Sequence, residues 1–198
     1  MNNRKVYISG EIVTEVDAKI SIFDSAVLLG DTVTESTRTF NFKPFKLDEH
    51  LERLYKSFKL TRINPQMTIE EMKKVSLELL EINKDNYKAN EDCWLVHNIS
   101  RGHSITGGNP ALQVSKPTVM IYTQPMNLVL WAPFYTKGCH AVTPPTRMVP
   151  SQSLDARIKN RSRLFYTLAE IEAKLVDPDA QSVILDIHGN VAENKGGN

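Results

Sequence analysis

The sequence predicts an α+β fold in two lobes, on three observations. Strand patterns come in runs with helices inserted among them, not in a strict strand–helix alternation. A proline-punctuated apolar stretch from Pro125 to Pro133 breaks the chain near residue 130. The length, 198 residues, suits one ordinary domain or two small ones. The expected division is a first lobe over 1–128, a connection over 129–136 and a second lobe over 137–198. No internal repeat or low-complexity stretch interrupts this order.

The elements follow from local pattern. Val6, Ile8, Ile12 and Val13 flank Ser9-Gly10, which reads as a hairpin. Ala26 to Leu29 is an apolar run closed by Gly30-Asp31. Thr32 to Phe40 is rich in β-branched residues and reads as a strand. Asn41 to Pro44 is a turn and Phe45 to Leu47 a short return strand. Asp48 is the expected N-cap of a helix whose apolar face is Leu51, Leu54, Tyr55 and Phe58. Thr68-Ile69-Glu70-Glu71 is a capping box, and the helix after it carries Ile69, Met72, Val75, Leu79 and Ile82 on one side. Cys93 to Ser100 and Pro117 to Thr123 read as strands. Cys139 to Thr143 and Thr146 to Val149 read as short strands around Pro144-Pro145. Ser162 is the expected cap of a third helix with Leu164, Phe165, Leu168, Ile171 and Leu175 on its face. Ser182 to Asp186, a turn over 187–190, and Val191 to Glu193 complete the order.

Composition narrows the function classes. Hydrophobic residues make 41% and charged residues 24% of the chain, which is ordinary for a folded protein and excludes disorder. Twenty-four Lys and Arg against 23 Asp and Glu leave a net charge of +1, with no electrostatic footprint for nucleic acid or an acidic membrane. No apolar run approaches the ~18–20 residues of a membrane span. The N-terminus leads into an alternating strand and not into a signal peptide core. Cys93 and Cys139 lie far apart and fit a reduced chain better than a bridge. The expectation is a cytoplasmic globular protein, an enzyme or a binding module.

Dinucleotide, P-loop and nucleophile-elbow motifs are absent. The five histidines are scattered, with no second ligand at metal spacing, so no metal is expected. Two segments carry chemistry. In Leu154 to Arg163, Lys159 stands at a strand end just before a helix, where a rigid scaffold can fix a reactive amine. Desolvation and the neighbouring Arg157, Arg161 and Arg163 are expected to lower its pKa, as a Schiff-base lysine needs. In Leu185 to Asn198, a carboxylate at a hairpin is followed by glycines that permit close approach of a planar ligand.

In this order, several stretches resemble the fold-type IV aminotransferases, which depend on pyridoxal 5′-phosphate (PLP). They are Tyr7-Ile8-Ser9-Gly10-Glu11, Ile20 to Asp24 through Leu29-Gly30-Asp31, and His50-Leu51-Glu52-Arg53-Leu54. Ser100-Arg101-Gly102, Ile158-Lys159-Asn160 and Leu185-Asp186 through Gly189-Asn190-Val191-Ala192-Glu193 follow. The resemblance implies an N-terminal α/β sandwich lobe and a β-barrel-like second lobe, incomplete here. It implies that Lys159 carries PLP and moves the proton at the substrate's Cα. Glu193 would pair with the ring nitrogen and keep it protonated, and Arg53 would bind the phosphate with its planar fork of donors. It also implies an amino acid or amine donor, a 2-oxo acid acceptor and a homodimer.

Substrate residues are less determined. Branched-chain enzymes carry an aromatic where this chain has Leu29, another at Thr34 and an arginine at Val96. The end of the Ser100-Arg101-Gly102 strand looks more like the D-amino-acid and R-amine branches, which use residues near Arg101 and the 103–109 loop. Arg38 is a further carboxylate partner, since alternation puts Thr34, Ser36 and Arg38 on one face. The tyrosine usual at position 164 is replaced by Leu164, with Tyr166 two residues on. Alternatives are a lyase like aminodeoxychorismate lyase on the same scaffold, or an inactive truncated chain. In the family the chain runs on past Asn198 to complete the phosphate cradle. A chain ending there is expected to expose the apolar faces of the third helix and the 182–187 strand, bind PLP weakly or not at all, and dissolve poorly.

Overall fold

A computed structural model describes residues 3–88, 91–104 and 115–196. The predicted Thr106–Pro110 loop, with most of the 103–109 segment, lies outside them. The chain divides into two compact units. Met1–Met126 with Ile158–Ser162 form the first, and Asn127–Arg157 with Arg163–Asn198 the second.

The first unit is a six-stranded sheet in the order β2-β1-β6-β5-β3-β4. Its strands are β1 (Lys5–Ile8), β2 (Glu11–Thr14), β3 (Thr32–Phe40), β4 (Lys43–Pro44), β5 (Cys93–Ser100) and β6 (Thr118–Pro125). Every pairing is antiparallel. The β1–β2 turn is Ser9-Gly10, both at positive φ, as the sequence requires. Helices α2 (Leu47–Thr61) and α3 (Ile69–Asn83) cover one face. Alternation decides what points at them. From β5, Cys93, Leu95 and Ile99 enter the core with Leu51, Leu54, Met72 and Leu79, while Trp94, Val96 and Asn98 occupy the opposite face. The capping box of α3 forms as predicted, with Thr68 and Glu71 satisfying each other's backbone N–H groups.

The entry to α2 differs from expectation. Asn41 and Phe42 both take positive φ, so a tight two-residue hairpin turn starts the return strand at Lys43 rather than Phe45. The chain then enters the helix early. Lys46 is the N-cap, in a left-handed conformation without a side-chain cap, and Asp48 lies in the first turn. There its charge suits the helix dipole and pairs with Lys73 at 2.6 Å. On α3, Ser76, Leu80 and Asn83 join Met72 and Leu79 in burial, whereas Ile82 is exposed.

The short helix α1 (Ser25–Leu28) replaces the predicted apolar run. Asp24 caps it by accepting from the Ala26 N–H at 2.8 Å. The same buried carboxylate accepts from Ser100 Oγ at 2.6 Å and Thr118 Oγ1 at 2.5 Å, tying the loop to β5 and β6. Gly102 stands just past the end of β5 because nothing larger fits. A Cβ there would lie 1.8 Å from the Lys116 carbonyl oxygen, and φ is +90°.

The second unit contains α4 (Leu128–Trp131), α5 (Phe134–Lys137), α6 (Leu164–Val176) and a sheet β7-β8-β9 made of Ala141–Val142, Gln181–Leu185 and Val191–Asn194. The predicted strand over 146–149 is reduced to a single bridge between Arg147 and Leu185. The sheet is open, with no closed barrel among the described residues. Arg163, not Ser162, is the N-cap of α6, and no side chain caps it. The buried stripe of α6 is Tyr166, Ala169 and Ala173, at helical spacing. Of the predicted face, Phe165 packs against this stripe, whereas Leu164 at 70%, Leu168 at 46%, Ile171 at 53% and Leu175 at 82% are exposed. Small residues on the inward stripe let α6 lie close to β8, whose Ile184 packs on Tyr166 and Ala169. Both cysteines are free.

Candidate active site

Lys159 is positioned by backbone bonds on both sides. β4 is so short that it pairs only with Thr39 and Phe40, leaving the start of β3 as a sheet edge. Residues 158–162 take that edge. The Thr34 N–H donates to the Lys159 carbonyl at 2.8 Å, and the Arg161 N–H to the Thr32 carbonyl at 2.8 Å. Asn160 bridges Val33. The Lys159 N–H donates to Ser57 Oγ on α2 at 3.2 Å, and Ser57 is buried. Ile158 packs on the core of the first unit. The Asn160 N–H also donates to the Ile158 carbonyl at 3.0 Å, so the chain turns at Lys159 instead of running on as a strand.

The face of the sheet away from α2 and α3 is open. Thr34 and Val96 lie on it, both buried, with Ser36 opposite Val96 in the register. Thr34 Oγ1 donates to the His97 carbonyl at 3.0 Å. Asn98 Nδ2 donates to the Tyr122 hydroxyl at 3.0 Å on the same face. Arg38 also lies here, its guanidinium 3.7 Å from the centroid of the Phe40 ring. Farther along, Arg4, Ile8, Met120, Tyr122, Gln124 and Arg161 line a cavity of about 510 Å³. Of the predicted substrate residues, Thr34, Arg38 and Val96 thus share the open face of the sheet.

Arg53 comes from α2 and its partner was not foreseen. Arg53 Nε and Nη2 donate to Glu35 Oε2 and Oε1, each at 2.7 Å, and His50 Nδ1 lies 3.1 Å from Oε1. The Glu35 side chain is fully buried. Burial raises its pKa, but the hydrogen bonds from His50, Arg53 and the Ser36 backbone outweigh it and bring the carboxyl to about 2. The side chain of Arg53 remains about half exposed, at 51%. The signal for Glu35 was present in the sequence: a carboxylate in register with Val33, at an inward position, demands a cationic partner.

Two predicted residues are placed elsewhere. Arg101 donates to Asp31 through Nε at 2.8 Å and Nη2 at 3.3 Å, and to the Thr61 and Arg62 carbonyls, each at 3.0 Å. It closes the C-terminal end of α2, and those bonds engage its guanidinium. Leu29 is the C-cap of α1 and is 71% exposed. Of the arginines near Lys159 in sequence, Arg157 is paired with Asp155 at 2.6 Å and Arg163 stacks on Tyr166.

In the second unit, Asp186 shapes the turn that delivers Glu193. Asp186 Oδ1 accepts from the His188 and Asn190 N–H groups at 2.8 and 2.9 Å, and Oδ2 from Asn190 Nδ2 at 2.9 Å. Val191 then starts β9, and Glu193 stands opposite Ile184. The Tyr166 hydroxyl donates to Glu193 Oε2.

The family model for amino-transferase class IV matches residues 32–198. The chain belongs to the class IV aminotransferases. A Methanocaldococcus jannaschii relative, whose name assigns it to the branched-chain-amino-acid aminotransferases, is 35% identical over 98% of this chain and 64% of its own length. A D-alanine aminotransferase of Staphylococcus epidermidis is 32% identical over 61% of this chain and 41% of that protein. The solved branched-chain aminotransferase of Thermoproteus uzoniensis with norvaline superposes with a TM-score of 0.78 at 24% identity, covering 98% of this chain and 63% of that one. The Escherichia coli branched-chain enzyme gives 0.81 at 22% identity over 97% and 62%. This class IV chain has the fold of those structures and spans about 64% of the length of the M. jannaschii relative. Among the described residues, no helix is long and apolar enough to cross a membrane.

Proposed function

We propose that this class IV aminotransferase chain carries PLP-dependent transamination, moving an amino group from an amino acid or amine to a 2-oxo acid. The observation that carries the reading is the anchoring of Lys159 through both its N–H and its carbonyl. An amine on a strand edge held at both ends can meet one reacting atom repeatedly. The residues fit PLP by the chemistry of their donor sets: an amine for its aldehyde, a carboxylate for its ring N–H and a guanidinium for its phosphate. Bound PLP supplies an aldehyde that takes up the amino group and a ring that draws off the Cα electron pair.

The chain's own residues do the rest. Lys159 is the general base that takes the proton from Cα and returns it to the cofactor's C4′. Glu193 accepts the ring N–H. Arg53, its rotamer fixed by Glu35, offers its exposed edge to the phosphate. Thr34 and Val96 are uncharged, and Arg38, in line with them on the open face, is the proposed partner of a substrate carboxylate. A branched-chain amino acid is the proposed donor, because the M. jannaschii relative is named for that activity. A homodimer is proposed with it.

The test is an absorbance spectrum with PLP, followed by addition of leucine and 2-oxoglutarate. A band in the visible range and formation of glutamate with the 2-oxo acid of leucine support the reading. A visible band with no glutamate formed contradicts it.

A further inference from the structure

Tyr166 has no part in the reading above, yet it is the partner of Glu193. β9 is short, and Glu193 sits on it beside Val191 and Ala192, both exposed. A carboxylate there, without a donor, samples several rotamers. Tyr166 does not. It is 6% exposed and packs with Ala169 and Ile184, the residue opposite Glu193 in the strand register. The Phe165 ring lies 4.2 Å from its ring centroid, and the Arg163 guanidinium 4.8 Å from it. Its hydroxyl donates to one carboxylate oxygen, Oε2. Burial, and then the bond to Glu193, raise the phenol's pKa, so it stays a donor at neutral pH.

We propose that Tyr166 is the positioning residue for Glu193, holding Oε2 so that Oε1 is presented to the ring nitrogen of the cofactor. The proposal rests on the PLP reading and deepens it. Fixing a carboxylate on a helix-anchored phenol removes the entropy of its search before the ring arrives. It also explains a tyrosine on a stripe whose other members, Ala169 and Ala173, are small.

The test is a ratio of affinities, measured on the full chain by fluorescence titration. One ligand is PLP; the other is its isostere with C–H in place of the ring nitrogen. The ratio reads the bond from Glu193 to the ring N–H alone. A charge-assisted hydrogen bond makes the wild-type preference for PLP about 10- to 100-fold. Glu193→Gln is expected to bring the two ligands within about threefold of each other. Tyr166→Phe, which keeps the ring and its packing, is expected to cut the preference about tenfold. Were Tyr166→Phe not to fold, Tyr166→Leu gives the same comparison. A Tyr166 variant with the wild-type ratio, beside a Glu193→Gln ratio near one, overturns this inference and leaves the PLP reading standing. An unchanged ratio in Glu193→Gln overturns the Glu193 assignment and this inference with it. A wild-type chain that binds neither ligand overturns both.

Discussion

Helices α2 and α6 are both apolar helices beside a sheet, and they end differently. α2 buries Leu51, Leu54 and Phe58 of the stripe its spacing announces, with Leu47 added at its start. α6 buries Tyr166, Ala169 and Ala173 and turns four large aliphatic side chains outward. The first unit holds a core built from α2, α3 and strands β3, β5 and β6, whereas the buried cluster of the second is Tyr166, Ala169 and Ile184. Stability is therefore concentrated in the first unit. Lys159 and Arg53 belong to the first unit, Glu193 and Tyr166 to the second. Residues 158–162 are the part of the later sequence that the first unit claims, through β-edge pairing.

The largest expected effect breaks the chemistry without touching either core. Lys159→Met removes the amine but not the backbone bonds, so transamination is expected to fall about a thousandfold or more. Steady-state kinetics check this, with an unchanged urea midpoint as the control. Next is Leu54→Ala against Leu175→Ala. The first empties a fully buried site and is expected to cost about 2–5 kcal/mol. The second removes atoms from an 82% exposed side chain and is expected to change stability by less than about 0.5 kcal/mol. Equal effects in urea unfolding would erase the contrast between the units.

Acid sharpens the same contrast. Burial lowers the His97 pKa from 6.5 to about 4, so only the unfolded chain takes up that proton as pH falls from 6.5 towards 4. Stability is lost through that window. Glu35, brought from 4.5 to about 2, contributes stability that is full above 4.5 and lost as pH falls towards 2. Each contribution is about 3 kcal/mol. Urea midpoints for the first unit are expected to drop between pH 7 and 3, and Glu35→Gln to flatten the lower part of that drop. Arg101→Ala is expected to cost about 1–3 kcal/mol through the lost bonds to Asp31 and the end of α2. A change in substrate preference with unchanged stability would instead give Arg101 the substrate role that its sequence position suggests.

Much of the first unit was legible because its signals are local. β5 runs over the predicted Cys93–Ser100, β3 over Thr32–Phe40, and the Thr68–Glu71 box caps α3. Errors arose where a tertiary choice overrode the local one. Two apolar stripes run along α6, and spacing cannot tell which one a sheet will take; close approach favoured the stripe with alanines. Asp48 satisfies the rules for a cap, but the tight turn at Asn41-Phe42 moved the helix start ahead of it. The site divides in the same way. Lys159 stands out by its own segment, and family likeness supplied Arg53 and Glu193. The partners Glu35 and Tyr166 lie 18 and 27 residues from the groups they hold, so an inward Glu35 asks for a cation without saying which one.

The central claim, that Lys159 is the amine prepared for PLP, is tested most directly by trapping. The protein is incubated with PLP, reduced with borohydride, digested and mapped by mass spectrometry. The expected result is a phosphopyridoxyl group on Lys159 alone, absent in Lys159→Met. A label on another lysine, with Lys159 unmodified, would contradict the account.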